Sequence, residues 1–195
     1  MSPHRDPWTW LSRATVYDNP WIKVEERRGL NPAGAPALYG VVRLKRLAVG
    51  VLPLEADGSV HLVGQWRVPL ERYSWEMPEG GADPGEAPEA CARRELAEET
   101  GLSAGRLVEI LRMDLSNSVT DEQAVLFLAT ELTAGVACPE ETEVLAHKRV
   151  SFRQALDEVL AGRITDSLTV AALLRAHHMA VTGGVPPALA RAMLG

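Results

Sequence analysis

Residues 80–102 read GGADPGEAPEACARRELAEETGL. As a spacing this is Gly80, five residues, Glu86, seven residues, then Arg94-Glu95-Leu96-Ala97-Glu98-Glu99-Thr100-Gly101-Leu102. The run from about Ala87 suits a helix. Pro88 falls in the first turn, where a missing N–H has no intrahelical partner to lose, and Gly101 suits the left-handed residue that closes a helix. On such a helix, residues three and four apart are neighbours, so Glu95 faces both Glu98 and Glu99. Three carboxylates on one patch repel each other, and a divalent cation removes that repulsion. Hard oxygen ligands select Mg²⁺ or Mn²⁺ over softer metals. Mg²⁺ keeps several waters and shares its remaining positions with substrate phosphates, so the cluster points to attack of water on phosphorus. Arg94, four residues before Glu98, is placed to pair with it. A Glu-rich helix alone is ordinarily a solvated face. The fixed offsets of Gly80, Glu86, Arg94 and Gly101 are what set this one apart.

The complete pattern, G-x5-E-x7-R-E-U-x-E-E-x-G-U with U aliphatic, resembles the signature of the Nudix hydrolases at every position. A chance match at a given start is on the order of 10⁻⁹ from average residue usage, so the resemblance is not an accident of composition. It implies an α/β fold, the Nudix α/β/α sandwich with a mixed β-sheet, here preceded by an N-terminal β extension.

Composition agrees with an enzyme of ordinary globular type. The 195 residues carry 46% hydrophobic and 24% charged side chains, enough for one domain with a real core. A formal net charge of −6 argues against a nucleic-acid-binding protein, whose footprint is basic. It leaves room for a small phosphorylated ligand, because bound cations supply the opposing charge. The N-terminus has no apolar run like a signal peptide, and no stretch approaches the roughly 20 apolar residues of a membrane span. Cys91 and Cys138 are too few for a disulfide framework. A cytoplasmic protein with no membrane partner is the expectation.

Along the chain, residues 1–38 form an extension rich in Pro, Trp and charge, with a strand expected at 21–25 and a turn at Asn31-Pro32 and Gly34. Residues 39–195 are expected to form the main domain. Strand-like patterns run through 38–45, 47–55 and 59–68, with Asp57-Gly58 as a hairpin turn. Further strands are expected at 73–77, 106–111, 124–130 and 145–151. Helices are expected at about 153–161 and from an N-cap at Asp166 or Ser167. The five histidines show no metal-ligand spacing, and no Ser/His/Asp order suggests side-chain nucleophilic catalysis.

Other segments resemble the ADP-ribose and nucleoside-diphosphate-sugar pyrophosphatase branch of the family. The stretch GQWRVPLERYSWEMPEGG (64–81) is similar to one whose arginine contacts a substrate phosphate, which implies that role for Arg67. Guanidinium suits phosphate because it donates two parallel hydrogen bonds, whereas the plainer reading is a strand-edge arginine paired with a carboxylate. The resemblance also implies a metal contact from the backbone carbonyl of Glu79. The run Glu140-Glu141-Thr142-Glu143 is similar to the branch's acidic loop, implying Glu141 as general base and Glu143 as a further metal-associated carboxylate. Elsewhere in the family the base lies in the motif, at the position of Glu98. Trp21 matches an N-terminal region that helps build the partner subunit's nucleotide pocket, which also implies a homodimer. One departure stands out: Leu115–Glu122 resembles a loop that in ADP-ribose-specific members carries Pro and Gly, replaced here by Asn117 and Ser118.

The expected activity is Mg²⁺-dependent hydrolysis, with Mn²⁺ able to substitute, of the pyrophosphate bond of an ADP-ribose-like or GDP-mannose-like nucleoside diphosphate sugar. Metal would be held by Glu95, Glu99 and Glu98. Two alternatives differ in class. One is a Nudix enzyme acting on dinucleoside polyphosphates, coenzyme A or oxidised nucleotides. The other is a non-catalytic Nudix domain that binds a nucleotide sugar, for which an eroded motif would be expected.

Overall fold

The computed structural model describes residues 5–137 and 144–195. The chain divides into two compact units. The first takes residues up to Arg46 together with Asp114–Gln123, and the second takes Leu47–Met113 and Ala124–Gly195. The boundary expected at residue 38 therefore falls inside a strand.

In the first unit, β1 (Thr9–Asp18), β2 (Ile22–Leu30) and β3 (Pro36–Leu44) form an antiparallel sheet in that order. The Asn31 turn forms as its residues dictate: its side chain accepts the N–H groups of Ala33 and Ala35, and Gly34 takes φ +80°. The sequence shows no strand at β1, because nearly every residue of it is exposed and no apolar alternation marks a buried face.

The second unit is built on a mixed sheet in the order β7-β4-β9-β8. These strands are β4 (Ala48–Pro53), β7 (Glu79–Gly81), β8 (Leu102–Asp114) and β9 (Gln123–Ala134). β4 runs parallel to β9 and antiparallel to β7. Both central strands are buried along most of their length, as strands covered on two faces must be. Odd-numbered residues Val49, Val51, Val125, Phe127 and Ala129 pack against Cys91, Ala92 and Leu96 of α1 (Pro88–Thr100). On the other face a Cβ at Gly50 would meet Met77 and Leu126, and the Met77 N–H donates to Thr169 of α3 (Ser167–Thr182). Helices thus cover both faces of the sheet.

A second sheet of this unit has the order β10-β5-β6, all antiparallel. Its strands are β5 (Ser59–Arg67), β6 (Arg72–Glu76) and β10 (Ala146–Ser151). The Asp57-Gly58 turn forms, with Gly58 at φ +81°, yet β4 and β5 share only the Leu54–Val60 bridge before joining different sheets. α2 (Phe152–Leu160) is capped by Ser151, and α3 by Asp166 as expected. A short α4 (Pro187–Leu194), not foreseen from sequence, completes the unit. Among the described residues, no helix is long and apolar enough to cross a membrane.

Candidate active site

α1 explains the site. Its sequence is rich in Ala, Glu, Leu and Arg, all good helix formers, and it starts at Pro88 and ends at Gly101 with φ +71°. Three of the residues it buries are apolar and two are glutamates, Glu95 and Glu99. A buried carboxylate is costly unless charge or hydrogen bonds compensate it, so its partners decide its function.

Arg94 is the main partner. Its Nε and Nη2 grip both oxygens of Glu86 at 3.0 Å, while Nη1 donates to Glu95 at 2.7 Å and to Glu98 at 2.9 Å. The expected Arg94–Glu98 pair is therefore present, within a larger cluster of one guanidinium and three carboxylates. Glu86, which the motif reading left without a role, is the anchor. Arg94 holds its carboxyl down to about 2, helped by the Asp83 N–H. The same hydrogen bonds, donated by Arg94 to Glu86, drive the Arg94 pKa upward.

The loop carrying β7 lies directly on these acids. A Cβ at Gly80 would stand 2.1 Å from Oε1 of Glu95, so only glycine lets the backbone pass there undisturbed. The Glu79 N–H donates to Glu99 at 3.1 Å. The Glu79 side chain is nearly buried, and its Oε2 has no hydrogen-bond partner among the described residues. Burial, and then the charges of Asp166 and Glu76, raise the Glu79 pKa well above the ordinary carboxylate range.

Arg67, at the end of β5, donates from Nε to Glu76 at 3.0 Å and from Nη2 to Glu79 at 3.3 Å. The plainer reading, an arginine paired with a carboxylate, is realised here with buried Glu76. Burial opposes its charge, and the Glu76 pair more than offsets that, leaving its pKa raised. Nη1 makes no hydrogen bond among the described residues, and the side chain is one-third exposed. One edge of the fork therefore remains for an anion. The sequence hid Glu76 as its partner because that contact depends on the β5–β6 pairing.

Trp21 lies in the first unit, exposed, in the bend before β2, where its N–H donates to Asn19. Glu141 and Glu143 lie outside the described residues, as does Cys138. Among the described residues, no three His, Cys, Asp or Glu side chains already form a metal-binding set. Arg94 gathers Glu86, Glu95 and Glu98 around its own charge. The donor set nevertheless fits a hard divalent cation: oxygens only, more acid than one arginine neutralises, and an unpartnered buried oxygen on Glu79. Burial, and then the charge of Glu95, pushes the Cys91 thiol up to about 12. His61 and His147, 86 residues apart, stack with Nδ1 and Nε2 3.0 Å apart, a pairing that spacing could not reveal.

Comparison with known proteins agrees with the motif. The family model of the NUDIX domain matches residues 44–175. The ADP-ribose pyrophosphatase of Bacillus subtilis (strain 168) is 38% identical over 128 residues, 65% of this chain and 69% of that protein. The ADP-ribose pyrophosphatase of Mycobacterium tuberculosis is 34% identical over 141 residues, covering 70% and 67%. A protein named methanol dehydrogenase activator, from Bacillus methanolicus, is 32% identical over 128 residues, covering 65% and 69%. Among solved structures, one titled "Crystal structure of ADP compounds hydrolase" superposes with a TM-score of 0.83 at 24% identity. That match covers 94% of this chain and 99% of that one, and it shows a shared fold.

Proposed function

The chain belongs to the Nudix family, a hydrolase acting on phosphorus-containing anhydrides, and on that premise we propose that it cleaves the pyrophosphate bond of a nucleoside diphosphate sugar. The products are a nucleoside monophosphate and a sugar phosphate. The observation that carries this reading is the Arg94 cluster of Glu86, Glu95 and Glu98 under the Gly80 loop, beside the unpartnered oxygen of Glu79. The two relatives named ADP-ribose pyrophosphatase favour an ADP-linked sugar.

Glu95, Glu98 and Glu99, with the Glu79 carbonyl and Glu143, would hold Mg²⁺, or Mn²⁺ in its place. A divalent cation held there neutralises the diphosphate and acidifies water for attack on phosphorus. Arg94 keeps Glu95 and Glu98 in fixed orientations, and Glu86 fixes Arg94 by a bidentate grip. Arg67 offers its remaining edge to a phosphate oxygen, oriented by Glu76 on the far side. The proton of the attacking water goes to Glu141 or Glu98, the two carboxylates available as general base. A homodimer is part of the same proposal, supported by exposed Leu11, Val16, Tyr17, Trp21 and Leu38 on the first unit.

The test is phosphate release with added phosphatase, across ADP-ribose, GDP-mannose, UDP-glucose, diadenosine polyphosphates, coenzyme A and nucleoside triphosphates. Preference for one sugar nucleotide supports the reading. Preference for a dinucleoside polyphosphate or coenzyme A moves the chain to another branch of the family.

A further inference from the structure

A crevice of about 420 Å³ opens on the second unit, on the sheet face away from α1. Its floor is apolar, with Leu54 after β4, Leu128 on β9 and Val185 before α4. Its volume lies in the range of small-molecule sites, which combine an apolar lining with a few placed polar groups. None of the residues assigned to hydrolysis line it.

The polar groups are the informative part. Arg106 of β8 and Glu131 of β9 both line the crevice and both are exposed. Neither side chain makes a hydrogen bond or ion pair with the other, or with any other described residue. Glu55, the other acid of the lining, is engaged, with Oε1 3.2 Å from Nε2 of His61. The crevice therefore presents one available cation and one available anion above an apolar floor.

Glu131 is also held in an unusual way. It takes φ +58°, a left-handed conformation that side-chain-bearing residues avoid. The sheet face packed on α1 carries residues 125, 127 and 129 and then Leu132, so the alternation slips at Glu131 as in a β-bulge. Across from it is Gly105, where an added Cβ would stand 2.9 Å from Oε2 of Glu131. Bulges of this kind re-aim side chains, and strained residues gather at binding sites.

We propose that this crevice binds a zwitterion with an apolar body, the chemistry of a free apolar α-amino acid. The carboxylate sits on Arg106, the ammonium on Glu131, and the side chain among Leu54, Leu128 and Val185. An apolar body alone would leave both charges without partners, and a singly charged ligand would leave one of them.

Titration calorimetry on the whole chain at pH 7 tests this with L-phenylalanine, 3-phenylpropionate and phenethylamine as probes. L-phenylalanine is expected to bind, with each singly charged analogue at least about tenfold weaker. Arg106→Gln and Glu131→Gln should each weaken L-phenylalanine by a similar factor. Ala188→Trp, which fills the crevice without removing a charge, should abolish binding. Absence of binding at millimolar L-phenylalanine, equal binding of an analogue, or unchanged affinity in both charge variants overturns the proposal. Because binding is read directly, the result is independent of whether the chain hydrolyses nucleotide sugars.

Discussion

Two ionic clusters of this chain are near mirror images in charge. In the first unit, buried Glu25 of β2 is surrounded by Arg13, Lys23, Arg27 and Arg43 at 3.0–3.5 Å. In the second, Arg94 is surrounded by Glu86, Glu95 and Glu98. Each has a surplus of one sign, but the surplus lies in different places. Among the cations around Glu25, Arg13 keeps 56% of its side chain exposed and Lys23 36%, so solvent screens them, while Arg27 is largely buried and its Nε has no partner among the described residues. Among the acids around Arg94, Glu95 is buried, and Glu99 on the same helix is exposed by only 4%. A solvated surplus is stable as it stands. Oxygen ligands gathered on one helix face suit a hard divalent cation, which is the role proposed for the second cluster.

The sharpest way to break this contrast is Glu99→Gln. Turnover should fall at least about a hundredfold with folding intact, read by steady-state kinetics beside a circular dichroism melt. Near-normal turnover would remove Glu99 from the metal set. Next, Glu141→Gln should lower the rate constant at saturating substrate and metal by about a hundredfold if Glu141 is the general base. The same loss confined to Glu98→Gln would move the base into α1.

Arg94→Met removes the lone cation from among the acids. It should cost about 2 kcal/mol, below the range for fully buried pairs because Arg94 keeps 29% exposure. Added Mg²⁺ should restore part of that in a denaturant melt, and Mg²⁺ should do nothing for Glu25→Gln. The smallest effect on turnover is expected at Glu25. Its carboxyl is held down to about 2 against an ordinary 4.5, first by Arg27 and then Lys23. A lowered folded-state pKa contributes stability above about pH 4.5 that is lost as pH falls toward 2. Glu25→Gln should therefore lower stability at neutral pH and flatten the acid limb of the stability profile between those values, read in denaturant melts across pH.

The legibility of these two clusters differed as much as their charge. Glu95, Glu98 and Glu99 lie on one helix with Arg94, so local periodicity places them together and Gly101 at the helix end, while the Glu86 contact comes from the loop before it. Glu25 meets Arg13 and Arg43 only through the register of β1, β2 and β3, which no spacing encodes. The same physics hid Glu76 behind Arg67 and His147 beside His61, across strand pairs whose register is set by the tertiary fold. The Asp57-Gly58 turn was legible while its outcome was not, because β4 finds its parallel partner in β9, some 75 residues on. A strand such as β1, exposed on both faces, and a helix as short as α4 carry too little apolar pattern to be read at all.

On the proposed function, Glu95 and Glu99 of α1 hold a divalent cation. Electron paramagnetic resonance of free Mn²⁺, titrated with wild-type protein and with Glu95→Gln/Glu99→Gln, tests it most directly. The account predicts that the wild-type chain takes up Mn²⁺, that Mg²⁺ displaces it, and that the double variant binds at least about tenfold more weakly. Equal Mn²⁺ affinity in the two proteins would contradict it.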